Sequence, residues 1–369
     1  MIQPRYLFLF GTRPEAIKLS PLILEAKKRN LDYNVCFTGQ HKEMIAPILK
    51  HFQIEPDLIL NVMKPSQTLN EIVIAIMAEL KETITSANKP THLIVQGDTT
   101  SAAVGAFFGF YENIKIVHIE AGLRTHNLKS PWPEEFNRRL ISLAAELHFV
   151  PTKVAFENLK VEGVALDKIH VVGNSGIDAL RITAEKIAKG PSTSDFTFRI
   201  LVTLHRRESF GAEMISIMQA LKTILVKHSN ISIFWPLHDN PNVKESFNQV
   251  FNEVPKNLEV VRPLGYEEFI KAMLVCDLIL TDSGGIQEEA PFLGKPTLVC
   301  RQNTERPEAI ESGNSILVGT KKENIVVAIE ELADKGAKYK AMSFKNNLYG
   351  DGFSSAKILD ILTEYAAKS

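Results

Sequence analysis

Short apolar runs, each closed by a small or polar residue, alternate along this chain with longer stretches of helical periodicity. Parallel strands need a crossover of helical length between them, so this alternation predicts an α/β fold with parallel sheets wound on both faces. The first series is RYLFLFG, YNVCFTG, HLIVQGD, IKIVHIE and LHFVPT. A second, RILVTLH, ISIFWPLH, LEVVRP, DLILTDSGG and PTLVCR, begins after IHVVGNSGIDAL. The chain thus reads as two similar halves. The glycines of VVGNSG place a hinge at Gly173 to Asp178, and KGPSTSD, residues 189 to 195, reads as a surface loop inside the second half.

The 369 residues, 45% of them apolar, can fill two or three domains of ordinary size. Acidic and basic residues nearly cancel, 43 against 42. No overall field recruits nucleic acid or an anionic membrane, and an anionic ligand must be met locally. The first apolar run is too short for a signal peptide and is followed by Arg13 and Glu15, while the longest apolar region is broken by Asp98. Three widely spaced cysteines, Cys36, Cys276 and Cys300, form no Cys-x-x-Cys and fit reduced, buried thiols in a cytoplasmic protein.

Ligands of an open parallel sheet sit beyond the carboxyl ends of its strands. Those positions hold Arg13, Asp98 and Glu120 in the first half, and His205, His238 and the Ser283-Gly284-Gly285 turn in the second. Two sheets presenting such ends to each other would enclose a cleft between domains. In TDSGGIQEEAPFLG a strand runs through glycines into a helix, whose unpaired N–H groups and positive dipole end suit a diphosphate. Glu289 is then placed to accept from a ribose diol; the plainer alternative is an ordinary turn with a favourable charge near a helix start. No G-x-G-x-x-G occurs, which favours a nucleotide bound as substrate over a dinucleotide cofactor. Arg13, Lys18, His205, Arg206 and Arg207 add cationic contacts at strand ends.

The acidic part comes from Asp98 in VQGDTTS and Glu120 in HIEAGLR, which end neighbouring strands. SPWPEEFNRRL, residues 130 to 140, sets Glu134 and Glu135 behind a Pro-Trp-Pro turn, with Pro133 as the first helical residue, and lets Glu134 reach the same space. Asp98 alone would equally suit a cap for the helix opened by TTSAA, and the two glutamates a solvated helix start. Carboxylates grouped near cations meet the condition for separate acid and base roles at one pH. Ten histidines are spread without H-E-x-x-H or a Cys/His cluster, so no metal site is expected. His118 and His126 lack a partner motif, and His92, His148 and His170 read as structural. No G-x-S-x-G elbow supports an esterase triad.

GTRPEAIKLSPL, TGQH, QGDTTS, HIEAGLRT, SPWPEEFNRRL, HRRE, PLHDNPNV, TDSGGIQEEAPFLGKP and TERPEAI, in this order from residue 8 to about 320, resemble the non-hydrolysing UDP-N-acetylglucosamine 2-epimerases of bacterial envelope polysaccharide synthesis. The resemblance implies a glycosyltransferase-B-like architecture with the nucleotide sugar between two Rossmann-like domains. These would be residues 1–174, completed by a C-terminal helix over 355–369, and 175–354. It implies inversion at C2 of UDP-GlcNAc to give UDP-ManNAc, with no nicotinamide or metal cofactor. Loss of UDP would give 2-acetamidoglucal, to which UDP adds back. By similarity, Asp98, Glu120 and Glu134 match the catalytic carboxylates and His205 the histidine beside the phosphates. Arg13 and Ser283-Gly284-Gly285 match diphosphate contacts and Glu289 the ribose ligand, with Lys18, Arg138, His238 and Arg306 in matching motifs near the substrate.

The family further implies a homodimer and, in many members, activation by a second UDP-GlcNAc molecule. Gln40, Arg206 and His238 match that regulatory pocket. Ser66 stands where some regulated members place Arg, and Leu204 and Ser209 where many relatives carry Gly and Asn. Three other functions share parts of the pattern: a hydrolysing epimerase releasing ManNAc and UDP, a glycosyltransferase with an acceptor groove, and a nucleotide-sugar sensor. The GTRPEAIK and SPWPEE pair favours the non-hydrolysing group, and the three carboxylates together count against a sensor.

Overall fold

In the computed structural model the described residues are 4–40, 42–187, 196–206, 209–304 and 306–368. They form two compact units, Met1–Ile182 with Tyr349–Ser369, and Thr183–Leu348. Among the described residues the first unit has seven strands, β1 (Arg5–Phe10), β2 (Asp32–Phe37), β3 (Leu58–Ile59), β4 (His92–Gln96), β5 (Lys115–Ile119), β6 (Ala145–Val150) and β7 (Ile169–Val171). Its helices are α1 (Arg13–Lys28), α2 (Lys42–Phe52), α3 (Leu69–Thr83), α4 (Thr100–Tyr111), α5 (Glu134–Ala144), α6 (Lys153–Val161) and α7 (Ser175–Lys186). The second unit carries β8 (Phe198–Thr203), β9 (Ile231–Pro236), β10 (Leu258–Val261), β11 (Leu278–Thr281), β12 (Thr297–Val299) and β13 (Ser315–Leu317). Between and after them run α8 (Ala212–Lys227), α9 (Pro241–Val250), α10 (Tyr266–Val275), α11 (Gly284–Leu293), α12 (Pro307–Glu311), α13 (Lys322–Ala333) and α14 (Ala337–Met342). A last helix, α15 (Ser354–Lys368), returns to the first unit.

Every strand pair is parallel. The orders are β3-β2-β1-β4-β5-β6-β7 and β10-β9-β8-β11-β12-β13, the doubly wound α/β arrangement expected from the alternation. Strand order therefore reverses between β1 and β4 in one sheet, and between β8 and β11 in the other. Those switch points are where such sheets leave a crevice at their carboxyl ends. The strands β3, β7 and β13 escaped the sequence reading, whereas β12, also of three residues, was read from PTLVCR.

The buried strands read as continuous apolar runs because helices cover both faces. In the first unit Leu9, Leu93, Val95 and Ile116 pack under α3, α4 and α5. Gly105 and Gly109 let α4 lie close to the sheet, since a Cβ there would meet Leu9 at 2.2 Å and Ile116 at 2.3 Å. The outer side of this helical layer keeps large apolar side chains in solvent: Ile74, Phe107, Phe110, Tyr111, Phe136 and Leu143. In the second unit Trp235 is fully buried against Phe247 and Phe251. All three cysteines are buried and free. No helix of the described residues is long and apolar enough to cross a membrane.

The boundary between the units falls within α7, after Ile182. The Asp178 carboxylate accepts from the backbone N–H groups of Ser354 at 3.0 Å and Ser355 at 2.7 Å, tying the start of α7 to the start of α15. Burial pushes this carboxyl up from its ordinary value, against the pull of the N–H donors. The loop expected at 189 to 195 lies outside the described residues. Asp178→Ala strands two N–H groups at the start of α15, and should destabilise the first unit by about 1–3 kcal/mol. A urea titration followed by far-UV circular dichroism checks this as a lowered midpoint.

Candidate active site

The strand ends of the first unit bring Asp98 and Glu120 to adjacent positions. Gln96 pairs with Ile119 at the last rung of β4 and β5, and the Gly97 N–H donates to the Ile119 carbonyl at 2.9 Å. Gly97 turns the chain with φ +69°, delivering Asp98. Glu120 itself takes φ +61°, a left-handed conformation that costs a residue with a side chain roughly 1 kcal/mol or more. Such strain persists only where the surroundings hold it. Here the Glu120 carboxylate accepts from Lys18 Nζ at 2.5 Å, from the Gln96 amide, and at 3.5 Å from Asn174 Nδ2.

Asp98 is held from α5. Asn137 Nδ2 donates to its carbonyl at 2.9 Å, and the Arg138 guanidinium donates to its carboxylate. The cap of α4 is Thr99, whose hydroxyl accepts from the Ala102 N–H at 3.1 Å, so Asp98 is not spent on capping. Pro133 proves to be the N-cap of α5 and Glu134 its first residue, one position later than the sequence reading. Both bonds Ser130-Pro131 and Trp132-Pro133 are cis, and Trp132 is exposed.

The two adjacent glutamates have different fates. Glu135 is fully buried and gathers the Thr125 N–H at 3.0 Å, the His126 N–H at 3.2 Å, Arg138 at 3.3 Å and Arg139 at 3.2 Å. It locks the loop that leads into α5. Glu134 Oε2, by contrast, is buried and meets no hydrogen-bond donor among the described residues. A buried carboxylate oxygen without a donor is costly unless something else engages it.

A second missed carboxylate is Glu15, fully buried, which accepts from the N–H groups of Gly11 at 3.1 Å and Thr12 at 2.7 Å and from the Thr99 hydroxyl at 2.7 Å. It links the turn before Arg13 to the turn after Asp98. Burial raises its carboxyl above the ordinary value, opposed by these donors. The T-x-x-E spacing from Thr12 was the available signal, a capping box.

In the second unit, β8 ends before His205 and β11 before Asp282. Asp282 is fully buried; its Oδ2 accepts from the N–H groups of His205 at 2.8 Å and Arg206 at 2.9 Å. His205 Nδ1 lies 3.1 Å from Oδ1 of the same carboxylate. The His238 ring stacks beside it, centroids 5.7 Å apart, and burial together with His205 lowers its pKa. The sequence reading treated Asp282 as the end of a strand. Its partners are main-chain groups, which leave no mark in a sequence.

Helix α11 starts at Gly284. A Cβ on Gly284 would sit 3.5 Å from the Arg306 guanidinium carbon and 3.6 Å from an Arg206 nitrogen, while one on Gly285 would meet nothing within 4 Å. Two guanidinium groups thus converge on a helix N-terminus whose backbone is open to approach, a combination suited to a diphosphate. Arg306 is steadied by Glu288 at 2.7 Å, and Gln287 by Thr304 at 2.6 Å. Glu289 is half-buried on the same helix. Of the residues matched to a regulatory pocket, Gln40 belongs to the first unit, buried with Oε1 accepting from Ser101 at 2.7 Å, and Arg206 and His238 to the second.

A family model described as UDP-N-acetylglucosamine 2-epimerase matches residues 24–363. The UDP-N-acetylglucosamine 2-epimerase of Campylobacter jejuni is 44% identical over 378 residues, covering 97% of each chain. The crystal structure of UDP-GlcNAc 2-epimerase from Neisseria meningitidis bound to UDP-GlcNAc is 41% identical, with a TM-score of 0.89 over 98% of this chain and 100% of that one. The likeness of fold alone extends to the glycotransferase of kitacinnamycin, 12% identical with a TM-score of 0.65 over 98% of this chain and 100% of that one, in keeping with a glycosyltransferase-B-like architecture.

Arg206→Ala removes one of the two guanidinium groups at Gly284. It should weaken binding of inorganic pyrophosphate by about tenfold, the worth of one charge-assisted contact. Isothermal titration calorimetry measures it, and an unchanged Kd would remove Arg206 from the anion site.

Proposed function

This chain belongs to the UDP-N-acetylglucosamine 2-epimerase family, and on that premise we propose that it interconverts UDP-GlcNAc and UDP-ManNAc without hydrolysis. The observation that carries this reading is that Asp98 and Glu120 follow adjacent strands, with Asp98 bonded to α5, the helix that begins with Glu134. The C2 proton of the sugar is not acidic in the ground state. Its removal must accompany cleavage of the C1–O bond to UDP: the C–H electron pair becomes the C1=C2 bond of 2-acetamidoglucal, and the C1–O pair leaves with UDP. Return of a proton to the opposite face of C2, with UDP re-forming the bond to C1, completes the inversion.

Two acid/base groups and a firm hold on UDP are the requirements. In our proposal Glu134, with an oxygen that no donor engages, exchanges a proton with C2 on one face, and the Asp98 and Glu120 pair serves the other. Lys18 pairs with Glu120 and Arg138 with Asp98. Arg206, Arg306 and the α11 N-terminus hold the diphosphate, whose charge rises as the C1–O bond breaks, so they favour the transition state over the substrate. His205, oriented by Asp282, presents Nε2 to the phosphates, and Glu289 receives the ribose.

We also propose a homodimer formed through the outer side of α3, α4 and α5. Supporting it is a depression of about 680 Å³ lined by Val73, Ile74, Met77, Phe107, Phe136 and Leu140. Apolar side chains of this size seldom cluster in solvent on a monomer. Ile74→Glu combined with Phe107→Glu should convert the protein to monomers, read by size-exclusion chromatography with light scattering.

Proton NMR of the protein with UDP-GlcNAc in heavy water tests the reaction. The expected result is UDP-ManNAc carrying deuterium at C2 with UDP still attached. Accumulating ManNAc and free UDP would select hydrolysis instead, and absence of both products from folded protein would overturn the proposal. Asp98→Asn, Glu120→Gln and Glu134→Gln should each lower kcat by roughly 100-fold or more. Near-normal turnover in all three would overturn their roles.

A further inference from the structure

His118 is fully buried on β5, and nothing in the reaction proposed above uses it. Its Nε2 lies 2.8 Å from the Gly97 carbonyl oxygen. A carbonyl only accepts, so Nε2 carries the proton and Nδ1 does not. Nδ1 is buried and meets no donor among the described residues. A leucine or phenylalanine would fill the same volume without leaving a desolvated nitrogen, so packing alone does not account for an imidazole here.

What the imidazole holds is the turn between the two catalytic strands. Gly97 is tied to β5 at both ends of its peptide system: its N–H donates to the Ile119 carbonyl at 2.9 Å, and its carbonyl accepts from His118. The Gly97 carbonyl belongs to the peptide plane that continues into the Asp98 N–H. Two residues beyond His118, Glu120 follows directly on the end of the same strand. Resting on the acid/base roles given above, we propose that His118 is a positioning residue, its Nε2–H fixing the Gly97–Asp98 peptide against the strand that carries Glu120. Asp98 and Glu120 are thereby set relative to each other before substrate arrives.

The groups around the ring keep it in the form this task needs. His148 is its register partner on β6, and Arg124 and Arg138 add positive charge. Burial and these neighbours, against the Gly97 bond, depress His118 to about 3. The ring therefore stays neutral across the physiological range and contributes no ionisation of its own.

The test compares His118→Phe, which keeps the ring volume and loses the donor, with His118→Gln, whose amide nitrogen can reach the Nε2 position. The Phe variant should lose about 100-fold in kcat with KM for UDP-GlcNAc within about threefold, as for a misplaced acid/base group. The Gln variant should recover most of that loss. Both should keep the pH values of the wild-type kcat limbs. A Phe variant within about threefold of wild type overturns the proposal. So does an equal loss in the two variants, or a limb that vanishes with the imidazole, which would make His118 an acid/base group itself. A crystal structure of the Phe variant gives a reading independent of turnover: Asp98 displaced by more than about 0.5 Å supports the proposal, and an unmoved Asp98 overturns it. Wild-type protein inert toward UDP-GlcNAc would overturn the proposed function, leaving that displacement to decide the role of His118.

Discussion

The contact between the Arg138 guanidinium and the Asp98 carboxylate is the one on which the first unit's site depends. Carboxylates crowded at one sheet edge repel one another, and moving an ion from water into protein costs several kcal/mol unless it is paired. Each charge here has its own compensation: Arg138 for Asp98, Lys18 for Glu120, and Arg138 with Arg139 for Glu135. Arg138 appears twice because it joins the loop lock of α5 to the end of β4.

The second unit solves a related problem with main-chain donors. Asp282 is buried at the end of β11 and takes the N–H groups that open the turn after β8, so a single carboxylate closes the switch point and orients His205. The parallel with the first unit is physical. There the turn after β1 and the turn after β4 are joined through Glu15. In both sheets a buried acid ties together the two strands between which the order reverses, where main-chain groups would otherwise lack partners. Rigid strand ends then carry residues whose geometry matters to fractions of an ångström.

The strands were legible because short apolar runs end abruptly at small or polar residues, and the same abrupt ends marked Asp98, Glu120 and His205. β3, β7 and β13 were not legible, and β12, equally short, was read only because its apolar residues stop at Arg301. Glu15, Glu135 and Asp282 were passed over for another reason. Each binds backbone N–H groups, and which N–H groups converge on a carboxylate is decided by the turn, not by residue type. His118 was set aside because its only expected use was as a metal ligand, whereas its partner is a carbonyl on the adjacent strand.

Successive residues of a helix point about 100° apart, so Glu134, Glu135 and Phe136 must face three environments. Glu134 keeps a buried oxygen that meets no donor among the described residues, Glu135 locks the loop before the helix, and Phe136 stands in solvent with the apolar side chains of α3 and α4. Asn137 and Arg138, a turn on, return to Asp98. Any rotation of α5 about its axis would therefore move the Glu134 oxygen, the Glu135 lock and the Asp98 pair together. The proposed dimer would cover the outer face of this helix, where Asn137 lines the apolar depression and also holds the Asp98 carbonyl, and would restrain that rotation.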